Sequence, residues 1–207
     1  MIRIEFEKTG PCIFISHLDL MRVMTRALIR AQIPVKYTEG FNPHPYLVFA
    51  APLALGITGE HEYFEIKLTE PMPPREAVER LNRSLPAGLR ILGAEETDAD
   101  FNAIEQADYV LYVEGKTAAD WNTFFAQATI PTEKKTKRGM ETVDLKTDIF
   151  SAAARDAERG TEILLRLPCG NRRNLSPLLI RKAFAPDEET YYTIRRFAFY
   201  DEKGNKF

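Results

Sequence analysis

The sequence predicts an α+β protein built from two tandem ferredoxin-like units, each of βαββαβ type with an antiparallel sheet. Three observations predict it. Segments of period-2 hydrophobicity alternate with segments of helical period, in the order strand–helix–strands–helix–strand. That order occurs twice: helix starts fall at positions 17 and 117 and again at 74 and 176, offsets of about 100. The 207 residues are 44% hydrophobic and 28% charged, an ordinary globular mix that supplies a core for each unit. The repeat is one of pattern, not of residue identity.

The first unit is expected over 1–97. Ile2, Ile4 and Phe6 alternate with Arg3, Glu5 and Glu7, a half-buried strand. Ser16, with Asp19 three residues on, is a capping-box-like helix start. Leu20, Val23, Met24, Ala27, Leu28 and Ala31 then recur at helical spacing. The helix must stop before Pro34, because the residue preceding proline is pushed out of the helical region. Val35–Thr38 reads as a short strand and Glu39–Pro45 as a loop. Tyr46–Ala51 is extended, and Tyr63–Leu68 is a strand. Pro74 opens a helix to about Leu85, and Leu89–Ala94 is a strand.

The second unit, 98–207, begins within an acidic stretch at 95–106, where the boundary between the units is expected. Tyr109, Leu111 and Val113 begin a strand, and Thr117 caps a helix carrying Trp121, Phe124 and Phe125. Extended segments follow near 129–135 and 141–145. Glu162–Leu167 is a strand, Ser176-Pro177 starts a helix, and Tyr191–Tyr200 closes the unit. Each half thus carries one strand more than βαββαβ requires. Each sheet would also keep one bare face, free to meet another protein surface or RNA.

Composition excludes several classes. The longest apolar run, Tyr46–Ile57, contains Pro52 and Gly56 and falls short of the ~20 residues of a membrane span. The start MIRIEFEK reads as a strand, not a signal-peptide core. Cys12 and Cys169 are too few for a disulfide framework, an all-cysteine zinc site or a thiolate-held iron–sulfur cluster, and a reduced cytoplasm is the simplest compartment. No metal site and no cofactor is expected; His61 with Glu62 is a ligand pair with nothing specific behind it. The net charge of −2 attracts no nucleic acid globally, so any such role needs local patches.

Three local features carry the functional reading. In the first helix, Arg22, Arg26 and Arg30 lie four apart and form one basic stripe, flanked by Lys8 and Lys36. Residues 8–36 hold five basic residues and one acid, Asp19. The stripe is either a solvated face or a phosphate-contacting one, with Ser16 and His17 at the helix N-terminus offering backbone N–H groups to an anion. The second feature is the loop Tyr37-Thr38-Glu39-Gly40-Phe41-Asn42-Pro43-His44-Pro45. Its prolines stiffen a display of Tyr37, Phe41, Asn42 and His44, suited to base stacking and hydrogen-bond readout. The alternative is a structural turn with Phe41 in the core. The third is 163–186, with Arg166, Arg172, Arg173, Arg181 and Lys182 and no acid, its turn at 169–174 suited to an anion. Lys134, Lys135, Lys137 and Arg138 form a further cluster, read as an anion site or as a hairpin tip kept soluble by charge.

Catalytic signals are weak. His17 and Asp19 do not face each other at i,i+2 on a helix, so His17 is expected to cap or to bind phosphate sooner than act as a base. His17 and His44 are the only catalytic candidates, and no nucleophile-elbow, P-loop, dinucleotide or zincin motif occurs.

The runs Phe14-Ile15-Ser16-His17-Leu18-Asp19-Leu20-Met21-Arg22, Tyr37–Pro45 and Pro52-Leu53-Ala54-Leu55-Gly56 resemble the bacterial radical-SAM-linked domain of unknown function, here in stand-alone form. The resemblance is strongest over residues 1–70; in the second half Lys137-Arg138-Gly139 and Val143-Asp144-Leu145 fit it. His44 stands where the family pattern has a basic Arg or Lys. The resemblance implies a radical SAM protein as partner and, through the family's ribosomal-protein and ribonuclease gene neighbours, a connection to RNA. The chain lacks the C-x-x-x-C-x-x-C motif, so it is expected to be an accessory and not the radical enzyme.

The expected function is therefore an accessory that binds tRNA or rRNA for processing or modification, with no DNA or membrane partner. The RNA would meet Ser16, His17, Arg22, Arg26, Arg30, Tyr37, Phe41, Asn42 and His44 from the first half and Arg172, Arg173 and Arg181 from the second. The alternatives are a protein-interaction domain without RNA contact, and an RNA-acting enzyme using His17 or His44.

Overall fold

A computed structural model describes the chain except residues 98–99, 137–138, 171–172 and 187–188. It is a mixed α/β structure with, among the described residues, four α-helices and antiparallel pairing throughout each unit's sheet. Two compact units divide it, Met1–Asn102 and Ala103–Phe207.

In the first unit the strands are β1 (Ile2–Lys8), β2 (Leu47–Phe49), β3 (Ile57–Ile66) and β4 (Leu89–Glu96), and the helices α1 (His17–Arg30) and α2 (Pro74–Asn82). Central β1 pairs antiparallel with both β3 and β4, and β2 adds to β3, giving the order β4-β1-β3-β2. Ile2, Ile4 and Phe6 of β1 join Phe64 and Ile66 of β3 on one sheet face. Leu20, Met24, Ala27 and Leu28 of α1 and Ala77 and Leu81 of α2 close over that face, so both helices cover the same side. Arg3, expected at the surface, is buried on the other side. It pairs with Glu65 at 2.7 Å and lies 4.5 Å over the Phe101 ring. A buried charge persists only when paired in this way.

α1 ends at C-cap Ala31, and Gln32 follows at φ 52°, turning the chain before Pro34. Val35–Thr38 is not a strand. It makes only isolated bridges, Val35 to Leu68 and Tyr37 to Pro45, because its two ends pair with different segments. Among the described residues the first unit accordingly carries four strands, not the five expected.

The second unit contains β5 (Gln106–Glu114), α3 (Ala118–Phe125), β6 (Pro131–Thr136), β7 (Gly139–Asp144), β8 (Ser151–Ala157), β9 (Gly160–Pro168), α4 (Pro177–Phe184) and β10 (Tyr192–Tyr200). Its sheet order is β10-β5-β9-β8, and β6 and β7 form a separate hairpin. β8 has no counterpart in the sequence reading. Its run Ser-Ala-Ala-Ala-Arg is poor in the β-branched and aromatic residues that mark strands. Capping does follow the sequence: Thr117 and Asp120 form a capping box on α3, and the Ser176 hydroxyl accepts from Leu178 N–H at the start of α4.

Candidate functional site

The N-terminus of α1 is built by three residues in series. Ser16 takes an extended conformation, and its Oγ accepts the Asp19 N–H at 3.1 Å. The same hydroxyl donates to Asp19 Oδ2 at 2.7 Å, and Asp19 Oδ1 accepts from Arg22 Nη1 at 2.8 Å. The Ser16 hydroxyl foremost, and then Arg22, hold the Asp19 carboxyl below its usual range. Both carboxylate oxygens are thus engaged, and Arg22 is partly neutralised while staying exposed.

His17 is half-buried, its ring edge-on to Phe49 at 5.2 Å, with Nδ1 3.5 Å from the Leu53 N–H. It faces the segment after β2, and further bonds tie that segment down. Gly56 N–H donates to the Ile13 carbonyl at 2.7 Å, from a backbone φ of +83° that favours glycine. Lys8 Nζ donates to the Ala54 carbonyl at 3.2 Å. The two sequence runs 14–22 and 52–56 are therefore adjacent in space. This contact also corrects the reading of Lys8: it is fully buried beneath this segment and does not flank the basic stripe.

The stripe itself lies on solvent. Arg22, Arg26 and Arg30 are all exposed, but their commitments differ. Arg22 pairs with Asp19, and Arg30 donates to the Ser84 carbonyl at 2.7 Å. Arg26 makes no hydrogen bond or ion pair among the described residues, which leaves its guanidinium fully available. Lys36 is exposed, 3.9 Å from Glu39.

The loop 37–45 is closed at its base. Tyr46 N–H donates to the Lys36 carbonyl at 2.7 Å, and Thr38 N–H to the His44 carbonyl at 2.8 Å. His44 returns its own N–H to Thr38 Oγ1 at 3.2 Å, and its Nδ1 lies 3.1 Å from that hydroxyl and 3.0 Å from the Asn42 carbonyl oxygen. One imidazole thus braces both sides of the turn. Gly40 takes φ +122°, a conformation side chains resist. Phe41 next to it is 106% exposed, so the core-packing alternative fails. Tyr37 is 46% exposed, and Asn42 is on the surface.

The second-half candidates fare differently. Arg172 lies outside the described residues, as do Lys137 and Arg138. Arg173 is exposed but pairs with Asp148, and its Nη2 reaches the Thr147 carbonyl at 3.3 Å, so it braces its own loop. Arg181 is not a surface cation: only 8% of it is exposed, with its guanidinium 5.2 Å from the Tyr192 ring centroid. On α4 it falls on the buried side with Pro177 and Ile180, which helical spacing from Ser176 implies. Arg166 is likewise committed, gripping Asp108 at 2.7 and 2.9 Å and lying 3.8 Å over Tyr200. Among the described residues, no group of three or more His, Cys, Asp and Glu side chains is placed to hold a metal ion, and no helix is long and apolar enough to cross a membrane.

One set of surface residues escaped the sequence reading. Phe14, Leu18 and Leu55 are 68%, 64% and 60% exposed. Phe14 and Leu18 bracket Ser16, and Leu55 precedes the Gly56 bonded to Ile13. The signal was present in the helical pattern, where Leu18 falls on the polar face with Arg22. Residues 1–177 match the family described as uncharacterised proteins conserved in bacteria, DUF2344. The chain belongs to this family. The match spans all of the first unit, including both loops and the α1 N-terminus. No curated protein matches the chain.

Proposed function

We propose that this DUF2344 protein is a non-catalytic, cytoplasmic RNA-binding accessory of a radical SAM enzyme, contacting RNA through its first unit. The observation that carries the reading is Phe41: a whole aromatic ring held in water by a loop braced through Thr38 and His44. A ring that packs against nothing contributes no burial to folding, while a rigid loop tip presents it to an unpaired base at little entropic cost. Arg26 supplies an uncommitted cation and Arg22 a second, partly neutralised one, for phosphates. We further infer that each unit is a ferredoxin-like fold and that the pair is an internal duplication. The matching orders β4-β1-β3-β2 and β10-β5-β9-β8 support this, with the β6–β7 hairpin as an insertion.

A second reading rests on a specific observation. Phe14, Leu18 and Leu55 are large apolar side chains left exposed at the α1 N-terminus, which favours a protein partner docking there. The two readings use different residues and both can hold. They separate in one measurement, the ultraviolet absorbance ratio of purified protein before and after a high-salt wash. RNA held by phosphate contacts raises the ratio and is stripped by salt. A ratio typical of pure protein at both stages leaves only the docking role.

A further inference from the structure

The face of α1 turned away from the core is not uniformly polar. Leu20, Met24, Ala27 and Leu28 pack into the core of the first unit. At about 100° per residue, Leu18, Arg22, Thr25, Arg26 and Ile29 fall together on the other side of the helix. Leu18 and Ile29 are each more than half exposed, about three turns and ~16 Å apart along the helix. Half-buried Thr25 lies between them, so a narrow apolar seam runs along the helix surface. Phe14, before the cap, and Leu55, beside the Gly56–Ile13 bond, add exposed apolar surface at its N-terminal end.

The charge beside the seam has one sign. Arg22, Arg26 and Arg30 step along one flank at four-residue spacing, all exposed. Asp19, the one acid of α1, has both carboxylate oxygens engaged, by the Ser16 hydroxyl and by Arg22. Arg30 keeps its charge while donating to the Ser84 carbonyl. An apolar seam alone does not name its occupant, but a seam with a cationic flank calls for an apolar ridge with an anionic flank.

We infer that α1 docks an acidic amphipathic helix of a partner protein, with its apolar residues on Leu18 and Ile29 and its carboxylates along Arg22, Arg26 and Arg30. This rests on the docking reading of the α1 N-terminus and adds the chemistry of the partner: apolar anchors at helical spacing, flanked by acids. A second copy lying antiparallel on this face would set one arginine stripe beside the other, which repels. An anionic lipid surface is met by a broad apolar face, and α1 has its broad apolar face in the core. Because Arg22 and Arg26 serve both, the partner helix and RNA phosphates compete for the stripe, so docking regulates RNA contact.

The probe is a synthetic peptide of about 18 residues, long enough to span the seam, with leucine at i, i+4, i+7 and i+11 and glutamate at the flanking positions. It is titrated into the whole protein by calorimetry, beside versions with glutamine or lysine for glutamate. The expected result is saturable, salt-sensitive binding of the glutamate peptide, weaker by about tenfold for the glutamine peptide and absent for the lysine peptide. Leu18→Ser and Arg26→Gln each weaken it by about tenfold and, at exposed positions, leave the melting temperature unchanged. Peptide binding is read without RNA, so it stands whether or not the RNA reading holds. Displacement of labelled RNA by the glutamate peptide supports the shared stripe, and simultaneous binding of both overturns it. A glutamine peptide that binds as tightly as the glutamate peptide overturns the inference and leaves the docking reading standing; binding by neither refutes both. Unaltered peptide affinity in Leu18→Ser, self-association of the protein that Leu18→Ser abolishes, or binding to phosphatidylglycerol vesicles in place of the peptide also overturns the inference.

Discussion

Replacing Phe41 by Ala separates the two roles an aromatic residue can have. The ring is 106% exposed, so folding removes none of its area from water, and deleting it forfeits no burial energy. The adjoining bonds between Thr38 and His44 do not involve it, so the loop keeps its shape. The melting temperature should therefore stay within about 1 °C of the parent, in the manner of surface substitutions generally. RNA affinity should fall. Stacking of an unpaired base on an aromatic is worth ~1–3 kcal/mol, a loss of roughly 5- to 150-fold in affinity. The salt dependence should not change, since no phosphate contact is removed. The assay is fluorescence anisotropy with labelled single-stranded and hairpin RNA at several salt concentrations, run beside thermal unfolding. Phe41→Trp should restore affinity. A folded Phe41→Ala protein with unaltered affinity would refute the stacking role, and a large drop in melting temperature would refute the exposed placement.

Other outcomes follow from the same geometry. Ser16→Ala removes the α1 cap and should cost about 1 kcal/mol, seen as a fall of roughly 2–4 °C in thermal unfolding. Glu65→Gln weakens the buried pair with Arg3 and should cost about 1–3 kcal/mol in denaturant unfolding, whereas changing Arg3 and Glu65 together to apolar residues should recover much of that. Burial pushes the Tyr63 hydroxyl up to about 12, with Glu5 adding to the effect, and burial raises Tyr109 as well. The folded state then holds protons that the unfolded chain releases near 10, so stability is complete below pH 10 and declines from there toward 12. Tyr63→Phe should shallow that alkaline decline in pH-dependent unfolding. His44→Ala should raise amide exchange across 38–44 while leaving the global unfolding midpoint nearly unchanged.

Periodicity made the strong elements legible. β1, α1, α3 and α4 are readable because alternation or a helical stripe coincides with a capping residue: Ser16, Thr117 and Ser176 each start a helix. What periodicity does not encode is pairing. Val35–Thr38 has strand composition, yet its ends bridge to Leu68 and Pro45, and no ladder forms. Ser151–Ala157 has helix composition, yet β9 recruits it through backbone bonds. The candidate site was legible in outline for the same reason. Arginines at four-residue spacing share a helix face, and a loop of glycine and prolines is rigid. Commitment was hidden, because it depends on partners distant in sequence. Lys8 reaches Ala54, Arg30 reaches Ser84, and Arg173 pairs with Asp148. Arg181 differs in cause: basic composition does not encode helix face, and on α4 it lies on the buried side with Pro177 and Ile180.

The most direct test of the RNA-binding account is the salt dependence of RNA affinity for the parent protein and for Arg26→Glu. Arg26 is exposed and makes no hydrogen bond or ion pair among the described residues, so reversing its charge disturbs none of those contacts. The parent should bind RNA with an affinity that falls log-linearly with salt. Arg26→Glu should bind more weakly across RNA sequences, with a slope smaller by about one, at an unchanged melting temperature. Affinity for cellular RNA that is absent or indifferent to salt, with and without a radical SAM partner present, would contradict the account.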